Sequence, residues 1–184
     1  MRKIVLTLDP ASIDQAYSKI RQYQRELPDK LVRLRKMIAE RVAWSASSGF
    51  RTATAGAVFG RLNGGKLTPE EPIIGSSVQV TVTHYGDLSV VFAEGDEAVF
   101  IEYGAGVYFN GSAGSSPHPW GSRYGYAIGT YGKGHGKRNV WGYSDGSGGI
   151  VLTHGTPAAM PLYNGLKEAR AVLDELILEV FGDD

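Results

Sequence analysis

The sequence predicts an α+β fold, and three observations carry that prediction. Apolar residues recur at helical spacing over the first fifty positions, the period switches to two from Val78, and helical spacing returns after Pro161. Lys3 to Leu8 reads as a short strand. Asp9 then fits a helix N-cap, with Pro10 at the first helical position, where a missing N–H costs nothing. Ile13, Tyr17, Ile20, Tyr23 and Leu27 form an apolar stripe up to Pro28, which is expected to kink or break the helix. Leu31, Leu34, Ile38 and Val42 continue the stripe in a second helix, which Ser47, Ser48 and Gly49 are expected to stop.

Val78, Val80 and Val82 alternate with Gln79, Thr81 and Thr83, and a Gly86-Asp87 turn follows. Leu88 to Ala93 then reads as the returning strand. Ala98 to Tyr103 reads as a third, completing an antiparallel meander. Val140 to Tyr143 and Ile150 to Thr153 flank the turn-rich SDGSGG and predict another hairpin. After Pro161, the spacing of Leu162, Leu166, Ala169, Leu173, Leu176 and Val180 predicts an amphipathic helix of about twenty residues packed on the sheet and ending at Gly182. The expected organisation is a single domain over 1–184 with an extended loop inserted at about 104–139.

That loop is compositionally distinct. Of the 25 glycines in the chain, 14 fall between Gly104 and Gly149, where average usage would place about three. Tyr108, Phe109, Trp120, Tyr124, Tyr126 and Tyr131 lie among them. A long loop of aromatic residues on a Gly/Ser background is the composition of a contact surface, so an arm that orders against a neighbour is expected.

Charge cancels in sum, with 19 basic and 19 acidic residues, so the whole surface is not built to coat a polyanion. It is segregated along the chain. Met1 to Phe50 holds ten basic and five acidic residues, Leu67 to Glu102 holds seven acidic and no basic residue, and Tyr103 to Gly149 holds four basic and one acidic. Such blocks favour head-to-tail attraction between like subunits. The absence of cysteine excludes disulfide scaffolds, thiolate metal sites and thiol nucleophiles. Ile4, Val5 and Leu6 are too brief for a signal-peptide core, and no stretch approaches a membrane span of about 20 apolar residues, so synthesis in the cytoplasm and no membrane partner are expected.

Motifs for chemistry are weak. GTYGKGHGKR lacks phosphate-loop spacing, and Lys137 is followed by Arg138 instead of Ser or Thr. His84, His118, His135 and His154 show no metal-ligand spacing, and neither a cofactor nor a catalytic group is expected. A contact between His84 and Asp87 across their turn is expected to be a surface one.

Two stretches, VFIEYGAGVY from Val99 to Tyr108 and THGTPAAMPLYNGLKEARAVLDELILEVF from Thr153, resemble the tail-completion, or head–tail joining, proteins of long-tailed bacteriophages. In that family an aromatic-plus-glycine signature, here Phe100, Ile101, Glu102, Tyr103, Gly104 and Gly106, precedes a variable loop. A Gly-x-Pro-Ala-x-x-Pro turn, here Gly155, Pro157, Ala158 and Pro161, launches the terminal helix. The resemblance implies a non-enzymatic virion neck protein, made in the host cytoplasm, that forms a homo-oligomeric ring. The ring would join the head-side connector or portal-associated protein to the tail terminator or tail tube, with passing contact to DNA in the channel. Phe100, Glu102, Tyr103 and Gly104 would hold the sheet-to-loop junction. Trp120, Tyr124 and Tyr126 would contact a neighbour, and Lys133, Lys137 and Arg138 an acidic partner or DNA. The alternatives are a small cell-wall-active hydrolase or glycan-binding protein using His135 or His154, and a DNA-binding module using Arg33, Arg35, Lys36 and Arg41.

Overall fold

The structure, a computed structural model, describes residues 7, 9–56, 58–70, 73–104, 108–109, 112–113, 116–124, 141–153 and 155–182. It is α+β. Helix α1 (Pro10–Thr52) is followed by β1 (Thr54–Gly56), β2 (Val58–Asn63), β3 (Lys66–Pro69), β4 (Ile73–Ile74), β5 (Gln79–Tyr85) and β6 (Leu88–Glu94). Then come α2 (Ala98–Tyr103), β7 (Tyr108–Phe109), β8 (Ser112–Ala113), β9 (Trp141–Ser144), β10 (Ile150–Thr153), α3 (Pro161–Ala171) and α4 (Leu173–Phe181). The predicted strand at Lys3 to Leu8 lies almost wholly outside the described residues.

Asp9 caps α1 as its sequence position predicts, its carboxylate accepting the Ser12 N–H at 2.9 Å. Pro28 does not break the helix, which runs on for 43 residues, about 65 Å. Pro28 is exposed, so water can serve the carbonyl left without its amide donor, and the helix-favouring residues on either side carry the rod through. The helix also passes Ser47, Ser48 and Gly49.

The expected third meander strand, Ala98 to Tyr103, is instead α2. Its Val, Phe, Ile and Tyr content favours a strand, but Ala98, Ile101 and Glu102 are the buried positions, which is one face of a helical turn. β5 and β6 therefore form a two-stranded hairpin, with Val82 opposite Val91. A separate antiparallel sheet has the order β3-β2-β10-β9. It contains the predicted hairpin around SDGSGG, in which Ile150 pairs with Ser144. It also contains a hairpin not foreseen in the sequence, turning at Gly64-Gly65, both at positive φ. The predicted terminal helix starts at Pro161 and ends before Gly182, but Val172 interrupts it with φ −102° and ψ 13°.

Phe50, Ala53, Val78, Ala98 and Ile101 form the main buried cluster, flanked by Val80, Ala93, Ala159 and Leu162. The C-terminal half of α1 is its spine, and α3 crosses α1 closely. A Cβ on Gly165 would stand 2.8 Å from the Val42 carbonyl oxygen, and one on Gly49 would stand 2.9 Å from the Pro161 Cβ. Glycine sets the separation of the two helices. Gly165→Ala gains about 1 kcal/mol of helix propensity but drives a methyl into backbone, at a cost of about 1 to 3 kcal/mol. A net loss of about 1 kcal/mol, and a larger one for Gly165→Val, is expected in urea unfolding.

The β9–β10 turn is held by Asp145, whose carboxylate accepts the Ser147 N–H at 2.9 Å, the Ser147 hydroxyl at 2.8 Å and the Gly149 N–H at 3.1 Å. Those Ser147 bonds, then the Gly149 amide and Arg61, hold its carboxyl below the usual aspartate range. A lowered pKa in the folded state means that the turn's contribution is complete above the ordinary aspartate value. It is lost as pH falls through the lowered one. Protection of the Ser147 and Gly149 amides against hydrogen exchange, taken relative to the intrinsic rate at each pH, is expected to hold at neutral pH and to fall only in that acid window.

Candidate functional site

The point where α2, the Ser116–Tyr124 stretch and the start of α3 meet is built around one buried carboxylate. Glu102 is 5% exposed, and its oxygens accept the Leu162 N–H at 2.8 Å and the Tyr163 N–H at 3.0 Å. These are the second and third helical positions of α3. Met160, at the N-cap position with φ 55°, supplies no side-chain cap, and Pro161 has no N–H to offer. Glu102 thus caps α3 from another element, with negative charge at the positive end of the helix. Ile101 adds its carbonyl, which accepts the Ala159 N–H at 2.8 Å and the Met160 N–H at 3.4 Å.

The remaining partner of Glu102 is His118, 4% exposed, with Nε2 3.1 Å from Oε1. The Trp120 N–H donates to His118 Nδ1 at 3.0 Å, which leaves the proton on Nε2, directed at the carboxylate. His118 is itself placed by the Ser116 hydroxyl, which accepts the His118 N–H and donates to the Tyr103 carbonyl. Gly104 ends α2 at φ 78°, its N–H bonded to the Phe100 carbonyl at 2.7 Å.

Aromatic rings enclose the pair. Tyr103 stands 4.5 Å from the His118 ring, Tyr163 5.2 Å and Trp120 5.8 Å between centroids, and Trp120 meets Tyr163 edge-on at 5.7 Å. Burial first, then the nearby Glu102 and Tyr124, push the Tyr103 hydroxyl above its ordinary pKa. Over this shell opens an apolar groove of about 320 Å³ whose walls include Val91 on β6, Val99 on α2, Trp120, and Leu162 and Leu166 on α3. A more polar cavity of about 430 Å³ lies across α3, between Trp44, Ser48 and Thr52 of α1 and Asn164 and Glu168.

Of the residues singled out in the sequence, Phe100, Glu102, Tyr103 and Gly104 occupy a helix-to-loop junction, because α2 replaces the expected strand. Trp120 and Tyr124 are exposed beside it. Tyr126, Lys133, Lys137 and Arg138, with His135 and His154, lie outside the described residues. His84 bonds the Ser89 hydroxyl at 2.8 Å instead of reaching Asp87, which stands 4.0 Å from Arg35. Arg33 pairs with Glu179 at 3.4 Å, and Arg41 lies over the Trp44 ring. No group of three or more metal-ligating side chains is gathered among the described residues, and no described helix is long and apolar enough to cross a membrane.

Sequence reasoning passed over His118, Leu162 and Tyr163 as partners of Glu102. The only local hint was Pro161, which marks a helix start whose amides need an acceptor. No protein-family model, curated protein or solved structure matches the chain.

Removing either partner of a buried, hydrogen-bonded carboxylate strands the other. Glu102→Gln is expected to cost about 3 kcal/mol in urea unfolding, and His118→Ala about 1 to 3 kcal/mol. A Glu102→Gln protein within 0.5 kcal/mol of the parent, a margin of about one neutral hydrogen bond, would refute the capping role.

Proposed function

We propose that this chain is a structural protein of the phage neck. In this reading it is a tail-completion or head–tail joining subunit that assembles as a closed homo-oligomeric ring between the head-side connector and the tail. The observation that carries the reading is the first half of α1. There the large apolar residues of the stripe that continues onto the protein body farther along stand exposed around a buried Ala16, with Ile13 49%, Tyr17 56% and Ile20 43% exposed. Fully burying such a side chain stabilises by about 1.5 to 3 kcal/mol, a gain that an isolated subunit forgoes.

The junction supports the same reading. Both oxygens of Glu102 are committed to α3 amides and to His118, so the imidazole–carboxylate pair works as a brace. Trp120 and Tyr124 stand exposed next to that brace, where a neighbouring subunit, connector or tail protein would find rigidly mounted aromatic groups. Lys133, Lys137 and Arg138 are assigned to an acidic partner or to DNA in the channel. The resemblance of VFIEYGAGVY and of the Gly155 to Pro161 turn to tail-completion proteins gives the ring its place in the virion.

Size-exclusion chromatography with light scattering, followed by negative-stain imaging, is expected to show rings, alone or on purified heads or tails. Ile13→Asp with Ile20→Asp is expected to return the protein to its 19.8 kDa subunit mass without loss of the folded core. A monomer at every concentration that binds neither heads nor tails would overturn the reading, and clearing of peptidoglycan would favour the hydrolase alternative.

A further inference from the structure

We propose that the first half of α1 of one copy lies in the apolar groove between β6, α2 and α3 of the next copy. Each subunit then carries both halves of one heterologous contact. This inference rests on the neck-ring reading and names the surfaces that would close the ring.

The two halves are complementary in kind. The arm offers large apolar side chains at helical spacing, Ile13, Tyr17 and Ile20, and the groove offers apolar walls at Val91, Val99, Trp120 and Leu166. That is how an amphipathic helix docks in a groove. They are also complementary in charge. Residues 15–25 hold Lys19, Arg21 and Arg25 and no acidic residue, whereas Leu67 to Glu102 holds seven acidic residues and no basic one. Exposed Glu94 and Asp96 lie where β6 hands over to α2, at the edge of the groove. Arg123 and Lys167 each lie over a ring of their own subunit, Tyr124 and Tyr163, at 5.8 Å, as Arg21 of the arm lies over Tyr17 at 4.4 Å, which leaves Lys19 and Arg25 as the arm's other cations.

Geometry rules out the subunit's own arm, and the matching apolar and charged surfaces carried by one chain make a second copy the occupant. Val42 lines the groove, and it is 22 residues beyond Ile20 on the same unbroken helix, a separation of about 33 Å. A subunit cannot lay its own arm in its own groove. The contact joins two different surfaces, so repeating it generates a ring where the rotation closes.

The absence of cysteine gives a clean background for testing this. Ile20→Cys protein mixed with Leu166→Cys protein, each full length, is expected to give a disulfide-linked pair of subunits on mild oxidation. Ile20→Cys mixed with Thr68→Cys, on the exposed strand β3, is expected to give none. Arg21→Glu with Arg25→Glu is expected to weaken self-association about tenfold or more, and Glu94→Lys with Asp96→Lys in the partner to restore it. Rings that form without the Ile20–Leu166 link would overturn this inference and leave the neck reading standing. A monomer without the link would overturn both. Linked subunits that build open filaments would uphold the docking and overturn the ring.

Discussion

The Glu102 carboxylate takes three hydrogen bonds from two separate stretches of chain, and much of the architecture is organised around it. It anchors the first turn of α3, whose own N-cap residue contributes no side chain, and it holds His118, which fastens the Ser116–Tyr124 stretch down. A charge this deeply buried is tolerated because both carboxylate oxygens meet donors and because a helix N-terminus faces it. The contact between α1 and α3 sits on the same foundation, since the first turn of α3 brings Pro161 against Gly49 before Gly165 meets Val42.

The parts of the fold that were legible in the sequence are those governed by neighbours along the chain. The Asp9-Pro10 helix start, the β5–β6 alternation, the hairpin around SDGSGG and the span from Pro161 to Gly182 all follow from spacing within a few residues. Ala98 to Tyr103 departs from its β-favouring composition because a buried face at helical spacing overrules it. Pro28 sits inside α1 without ending it because an exposed helix can leave one carbonyl to water. The β2–β3 hairpin turns on Gly64-Gly65, a pair that tolerates the positive φ its turn needs. The brace was beyond local reading. His118 is 16 residues from Glu102, and the two amides are 60 and 61 residues away, so only the tertiary arrangement brings them together.

Within α1 the same periodic stripe meets two environments. From Ala39 to Phe50 it is packed, with Ala46 and Phe50 wholly buried, whereas before Pro28 its large residues Ile13, Tyr17, Ile20 and Tyr23 are exposed and, among the described residues there, Ala16 alone is buried. The packed half defines where the rod is rooted, and α4 packs beside it farther out, where Lys30 lies over the Phe181 ring and Arg33 meets Glu179 at the surface.

The missing amide at Pro28 has a mechanical meaning. It is where the rod gives most readily, just beyond its support from α4. A bend of about 10° there would swing Ile13, about 22 Å farther out, sideways by roughly 4 Å, the width of a side chain. A bend at Pro28 would move the tip alone, because the glycine-spaced contact with α3 fixes only the base.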